Sequence, residues 1–280
     1  MAIWKWSRIV ENRTALTGLV VTSLFLLAIV LGPIFSPYGP AGFDFASVLK
    51  APSWLHPFGT DSFGRDVLTR VLYGGRVSLL ISLSGVLAAT ATGVAIGMYA
   101  GYRGGLFDAV VMRFIDLLFA FPAFVLALFL MVVLGFGVVN VALAIALVYL
   151  PIFARIARNM TTLVKNDAYV QAAQVMGQST PRILLFEIFP NISAPVLVQA
   201  SVAVAFGIII EAGLSFIGLG VQPPTPSLGV IMADGQEYFR KAPWVLTLTG
   251  LTITCALLGL NLLGDGLRDL SDPRLRLRER

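Results

Sequence analysis

The chain is poor in the residues that do chemistry. Among its 280 residues there is one cysteine, Cys255, and one histidine, His56, so a disulfide framework, a thiolate metal site and a histidine cluster are all excluded. None of its lysines (Lys5, Lys50, Lys165 and Lys241) follows a glycine. A Gly-x-x-x-x-Gly-Lys-Ser/Thr phosphate loop is therefore absent from the sequence. An intramembrane protease or zinc enzyme needs buried ligands or a nucleophile with its base, so no catalytic residue, metal or cofactor is assigned to this chain. Charge is scarce too: 12% of residues, against roughly 25% in an average soluble domain. The net charge of +5 sits at the chain ends and between apolar runs. No basic segment is interleaved with aromatics, which excludes a nucleic-acid surface.

What fills the chain is hydrophobic residues, 57% of the total, with a mean hydropathy of +0.86. A helix needs about 20 apolar residues to cross a bilayer. Uncharged runs lie at about 14 to 35, 77 to 102, 117 to 154, 193 to 220 and 242 to 264. The third is long enough for two spans, and Gly135, Gly137 and Asn140 mark the turn between them. The reading is an all-α, polytopic membrane helix bundle with six transmembrane helices. Lys5, Arg8 and Arg13 precede the first run, which is longer than the ~7–15 residues of a signal-peptide core and lacks an Ala-x-Ala site, so it is read as an uncleaved anchor.

Lysine and arginine set the orientation. The N-terminus, the 103 to 113 loop, the 155 to 182 loop and the C-terminus hold 14 of them; the opposite side holds Lys50, Arg65, Arg70, Arg76, Arg240 and Lys241. Both termini are therefore expected in the cytoplasm, with the tail arginines Arg268, Arg274, Arg276, Arg278 and Arg280 as the anchor. Three regions follow: 1–76 with the N-terminal segment, first span and extracytoplasmic loop; 77–266 as a five-helix core with a cytoplasmic loop at 158–192; and a tail at 267–280.

In the second span Ala89, Gly93, Gly97 and Gly101 recur every four residues. Such a small-residue stripe lets helix backbones approach closely, either as ordinary bundle packing or as a face that moves. Pro122, Pro151, Pro190 and Pro195 mark kinks or hinges. Arg113 and Asp116 are spaced as an i, i+3 pair at a helix end. In the 158–192 loop, Asn166 or Asp167 is placed to cap a short helix whose Tyr169, Ala172, Ala173 and Met176 share one face. Gly177 ends it, and Thr180-Pro181 restarts a helix. The result is a helical plug with a face small enough for a partner to approach.

The run Gln171, Ala172, Ala173, then Gly177, then Ile188, Phe189, Pro190 resembles the EAA loop of ABC-importer permeases, with Gln171 in place of the usual Glu and Phe189 in place of Leu. The segment His56 to Leu79 is similar to the Gly-Thr-Asp-x-x-Gly-Arg-Asp core of the dipeptide, oligopeptide and nickel permeases, here Gly59, Thr60, Asp61, Gly64, Arg65 and Asp66. Glu211 to Ile231 is similar to their EA-x-LSFLGLG segment, and Leu263 to Arg276 to their tail. The likeness spans nearly the whole chain.

The resemblance implies that the plug is a coupling helix seated on an ATP-binding subunit. It further implies a second permease subunit, two P-loop ATPases carrying ATP and Mg, an extracytoplasmic substrate-binding protein, and residence in the bacterial inner membrane. The Gly-Thr-Asp motif is read as a capped turn leading into an interfacial helix that shapes the outer mouth, with a ligand site as the alternative. Glu211 is the ionisable residue inside an uncharged run. A polar contact with the partner permease is favoured for it over substrate binding. Di- or oligopeptides are the favoured substrates, since bare nickel lacks ligands here. Chelated nickel, glutathione and opines are alternatives, and an ion-coupled secondary transporter and a membrane scaffold without transport are the rivals from other classes.

Overall fold

The computed structural model describes residues 12–271. Lys5, Arg8 and the arginines of the tail beyond residue 271 lie outside the described residues. Among the described residues nine α-helices follow one another: α1 (Arg13–Phe35), α2 (Val67–Arg103), α3 (Gly105–Phe119), α4 (Ala123–Leu134), α5 (Val138–Val164), α6 (Ala168–Val175), α7 (Thr180–Phe216), α8 (Leu228–Glu237) and α9 (Pro243–Ser271). Five of these, α1, α2, α5, α7 and α9, are long and apolar enough to cross a membrane.

The sixth crossing is not a straight helix. α3 and α4 form a pair bent by 91°. The bend falls at Pro122, which takes the N-cap position of α4 and cannot continue α3 because it lacks an N–H. Topology requires this return. The glycines of α2 meet backbone carbonyls of α5 in matching steps: a Cβ on Gly85 would lie 2.7 Å from the Ala142 oxygen, on Gly93 2.8 Å from Leu150, on Gly97 2.1 Å from Ala154 and on Gly101 2.6 Å from Arg158. Both helices therefore run in the same direction, and only α3 and α4 can carry the chain back between them. The turn into α5 sits where expected. Gly135 and Gly137 have φ of +83° and +129°, and the Asn140 amide donates to the carbonyls of Leu134, Gly135 and Phe136 at 2.8, 3.1 and 3.3 Å.

α1 and α9 pair the other way. A Cβ on Gly18 would meet Leu263, on Gly259 Val21, and on Gly266 Ala15, so the two helices are antiparallel. Gly264 of α9 lies against Ser201 of α7, while Ile253 shares a pocket with Ile209 and Ala212, so α9 and α7 are antiparallel as well. The start of α1, the end of α9 and α6 thus share one end of the bundle, and α8 lies at the other. α2 is about 55 Å long at 1.5 Å per residue. It runs unbroken from Val67, so a boundary at 76/77 cuts a continuous helix.

Arg76, expected in an outer loop, is also inside α2. Its Nε donates to the Ile29 carbonyl at 2.5 Å and its Nη2 to that of Val30. Pro33 in α1 lacks the N–H that would otherwise bond Ile29. A guanidinium supplies the donor that the bilayer cannot.

Arg155 and Arg158 bind α5 to α3, pairing with Asp116 at 2.6 Å and Asp108 at 2.5 Å. Asp116 therefore does not take Arg113 as expected from sequence spacing. The packing of α3 on α5 brings Arg155 to it, with the guanidinium also 4.1 Å from the Phe119 ring centre.

The α2–α5 contact yields a direct expectation. Gly97→Leu, whose Cβ alone would sit 2.1 Å from a backbone oxygen, is expected to cost well over the ~1–3 kcal/mol of ordinary overpacking. Thr92→Val, on the exposed face of the same helix, is expected to be neutral. Thermal unfolding in detergent compares the two.

Candidate functional site

Two regions at opposite ends of the bundle gather the residues singled out from the sequence. At one end α6 links α5 to α7. Its N-cap position is Asp167, but the Asp167 side chain makes no capping bond. The Gln171 amide instead reaches back to the Asn166 carbonyl at 3.1 Å. A glutamate at 171 has no hydrogen to donate to a carbonyl, so the departure from the usual residue has a local function. Gly177 closes the helix with φ +72°.

The face proposed from spacing divides in two. Val170 and Ala173 are fully buried against the bundle, whereas Tyr169, Ala172, Val175 and Met176 point away from it, Val175 at 89% and Met176 at 70% exposure. The inward face is set by the i, i+3 pair of a branched and a small residue, which the four-residue pattern alone did not separate. The Tyr169 phenol is pushed above its ordinary value by burial, then by the charges of Asp167 and Glu187. Beside α6 lies a 590 Å³ groove lined by Gln178, Ser179, Pro181, Arg182, Leu185, Phe186 and Glu187. The groove borders a π-helical stretch, Ile183–Ile188, that precedes Pro190. Pro190 belongs to α7 rather than α6. Its missing N–H leaves the preceding turn to rearrange, and the Asn191 amide satisfies the Glu187 carbonyl at 2.7 Å.

At the opposite end the Gly59 to Asp66 loop is a polar staple. Asp61, 1% exposed, accepts from Arg65 Nε at 2.7 Å and Arg70 Nη1 at 2.6 Å through the same oxygen. Arg65 and Arg70 also reach Asp234 of α8 at 3.1 and 2.9 Å. Asp66 caps α2 by accepting from the Thr69 amide and hydroxyl, both at 2.7 Å, and holds His56 Nδ1 at 2.9 Å. The Thr60 hydroxyl donates to the Ser47 carbonyl and accepts from the Lys50 amide, and Trp244 of α9 donates to the Thr60 carbonyl at 3.2 Å. A Cβ on Gly64 would fall 1.8 Å from the Asp44 oxygen. Hydrogen bonds from Ser47 and the Ala46 amide hold the Asp44 carboxyl below its ordinary value. The loop thus joins the starts of α2 and α9 to α8. Arg70 and Asp234, which complete it, carry no motif signal and were missed from sequence.

Glu211 is fully buried on α7, with Oε1 accepting from the Ser215 hydroxyl at 2.7 Å. It is enclosed by its own chain, so the expected contact with a second subunit is not available to it in this conformation. An apolar pocket of 480 Å³ opens beside it, lined by Ile209, Ala212, Gly213, Phe216, Met232, Gly250, Ile253 and Thr254. The small-residue stripe is spent within the chain: Ala89 is fully buried and the glycines face α5.

A bundle of this kind, with five helices that can cross a membrane and a bent pair that makes a sixth crossing, is that of a polytopic membrane protein. Residues 93–277 match the family of the binding-protein-dependent transport system inner membrane component, and residues 3–52 match the N-terminal TM domain of oligopeptide transport permease C. The chain belongs to this family of inner-membrane permeases of ABC importers. It is 38% identical to the di/tripeptide transport system permease protein DppC of Pseudomonas aeruginosa, over 97% of this chain and 91% of that one. It is 36% identical to the dipeptide permease DppC of Alkalihalophilus pseudofirmus, over 95% and 88%, and 41% identical to a putative peptide transport system permease protein of Brucella abortus, over 96% and 91%. The fold is similar to a chain of the MetNI methionine ABC transporter in an inward-facing conformation, with a TM-score of 0.57 at 16% identity, covering 72% of this chain and 96% of that one.

The staple predicts that Asp61→Asn, which removes the shared anion from two arginines, destabilises the protein by about 3 kcal/mol, the typical loss when one partner of a buried ion pair is removed. Gln171→Glu, at an exposed site, is expected to cost under about 1 kcal/mol. Chemical denaturation in mild detergent measures both.

Proposed function

We propose that this permease forms half of the translocation path of an ATP-driven importer of di- or oligopeptides, with both termini in the cytoplasm. The observation that supports it most is the outward face of α6: Tyr169, Ala172, Val175 and Met176 are exposed on a short helix whose other side is fixed to the bundle. Exposed apolar residues on a rigid projection, beside an open groove, suit a partner that seats on them. That partner is one of two P-loop ATPase subunits, which bring ATP and Mg. A second permease subunit completes the path, and a substrate-binding protein docks over the Gly59 to Asp66 staple.

In this reading ATP-driven approach of the ATPases moves α6 as a rigid lever. α7 transmits the motion from α6 toward α8, and the π stretch at its base is the compliant point. Peptide is favoured because the names of the relatives specify peptides. The 480 Å³ pocket, lined by apolar side chains and small residues, also suits an uncharged side chain better than a metal ion. Chelated nickel, glutathione and opines remain the competing substrates within the class.

Replacing Val175 and Met176 by aspartate is expected to leave membrane insertion intact and to lower uptake of a radiolabelled dipeptide at least tenfold, the equivalent of one lost hot-spot contact. Uptake is measured in cells and peptide-stimulated ATPase activity in the reconstituted complex. Normal uptake in the double variant would refute the lever.

A further inference from the structure

α8 is held at its first turn by a polar cluster that coupling and docking leave unused. The Ser215 hydroxyl donates to Glu211 Oε1 and its oxygen accepts from the Val221 amide at 3.1 Å, tying the 217–227 connection to the carboxyl. The side chains of Ser78 in α2 and Ser227, the N-cap of α8, face the same carboxyl. Ser78 accepts from the Leu228 amide at 3.1 Å and Ser227 from the Val230 amide at 3.3 Å. Each of these serines uses its oxygen on a backbone amide of α8 and keeps a hydroxyl hydrogen to give. On the carboxyl itself, Glu211 Oε2 is buried and takes no hydrogen bond in this conformation.

We propose that Glu211 is a positioning residue: its carboxyl brings Ser215, one turn on in its own helix, together with Ser78 of α2 and Ser227 at the start of α8, and so sets where α8 and the 217–227 connection lie over the outer mouth. The word mouth rests on the importer reading; the cluster does not. α8 is then fixed at two points, by Glu211 at its first turn and by the Arg65–Arg70–Asp234 staple further along. Between them it lies flat on α7, where a Cβ on Gly229 would meet the Ala212 oxygen at 2.2 Å. So close a backbone contact holds the distance between the helices but carries no side chain to stop them sliding. The hydrogen-bonded cluster supplies the register. The free acceptor gives it room to tighten, since rotation of the Ser78 or Ser227 hydroxyl, with a small approach of α2 and α8, fills Oε2.

The test uses the assembled complex in nanodiscs, without ligand. Spin labels go on Leu80→Cys in α2 and Gln236→Cys in α8, both exposed, in a Cys255→Ser background. Pulsed electron resonance gives the distance distribution for the parent, Glu211→Leu, Glu211→Gln and the double variant Ser78→Ala/Ser227→Ala. The parent and Glu211→Gln are expected to give one narrow distance. The carboxamide oxygen still accepts from Ser215, and its N–H groups can donate to the second lone pair of Ser78 or Ser227. Glu211→Leu and the serine double variant are expected to broaden it, with dipeptide uptake, measured separately in cells, down about tenfold, as for the loss of one typical hydrogen bond.

A narrow distance in Glu211→Leu overturns the proposal, as does a Glu211→Gln variant as broad as Glu211→Leu, or a broadened distance with normal uptake. If Glu211→Leu fails to assemble, Glu211→Ala takes its place, and a narrow distance in the serine double variant overturns the proposal by itself, since that variant also removes the acceptors of the Leu228 and Val230 amides. Failure of the importer reading itself would appear as absence of ATPase partners. The distance measurement can then be made on the chain by itself, so the two failures are distinguishable.

Discussion

In lipid, two helices gain nothing by hiding apolar side chains from one another, because the acyl chains are as apolar as leucine. What remains is close packing and the pairing of polar groups. The contact of α2 with α5 is the limit of that logic. Gly85, Gly93, Gly97 and Gly101 lie directly beneath successive backbone carbonyls of α5, so dispersion contact is made by backbone itself. From this pairing the rest follows. Two helices locked side by side in the same direction force the chain to return through α3 and α4. The return is bent because Pro122 interrupts it, and the arginines of α5 come to lie against the aspartates of α3.

Charge is used sparingly and in pairs. At the end that carries α6, Asp108 and Asp116 take Arg158 and Arg155; at the other, Asp61 and Asp234 take Arg65 and Arg70. Arg76 completes a carbonyl left open by proline. In each case the ion or donor replaces something that water supplies in a soluble protein. The ends of the bundle are therefore stiff, and the apolar outer face of α6 differs from them in being exposed among the described residues.

Much of this was legible in the sequence. Apolar runs marked the spans, and the glycine repeat identified a packing face with its spacing intact. Gly135, Gly137 and Gly177 stood where φ is positive. What was not legible depended on long-range geometry. Nothing in the spacing of Arg113 and Asp116 announces that Arg155 wins. Nothing in the spacing around the start of α2 announces that Arg65 and Arg70 reach Asp234 far along the chain, or that Arg76 donates to the Ile29 carbonyl. The inward and outward faces of α6 were merged because its apolar residues surround it, and only the bundle decides which side is covered. Glu211 was recognisable as unusual, and Ser215 lies one turn on in the same helix, but Ser78 and Ser227 come from other segments that no local pattern connects.

The antiparallel contact between α1 and α9 bears on how the molecule is made. Gly18 and Leu263 touch, although about 240 residues of chain lie between them. At roughly 5–20 residues per second of synthesis, the first helix waits on the order of ten seconds or more in the bilayer before its main neighbour exists. During that interval its small-residue groove is occupied by lipid. Closure of the bundle is then the exchange of those acyl chains for the last helix, so assembly of the whole waits on its C-terminal span.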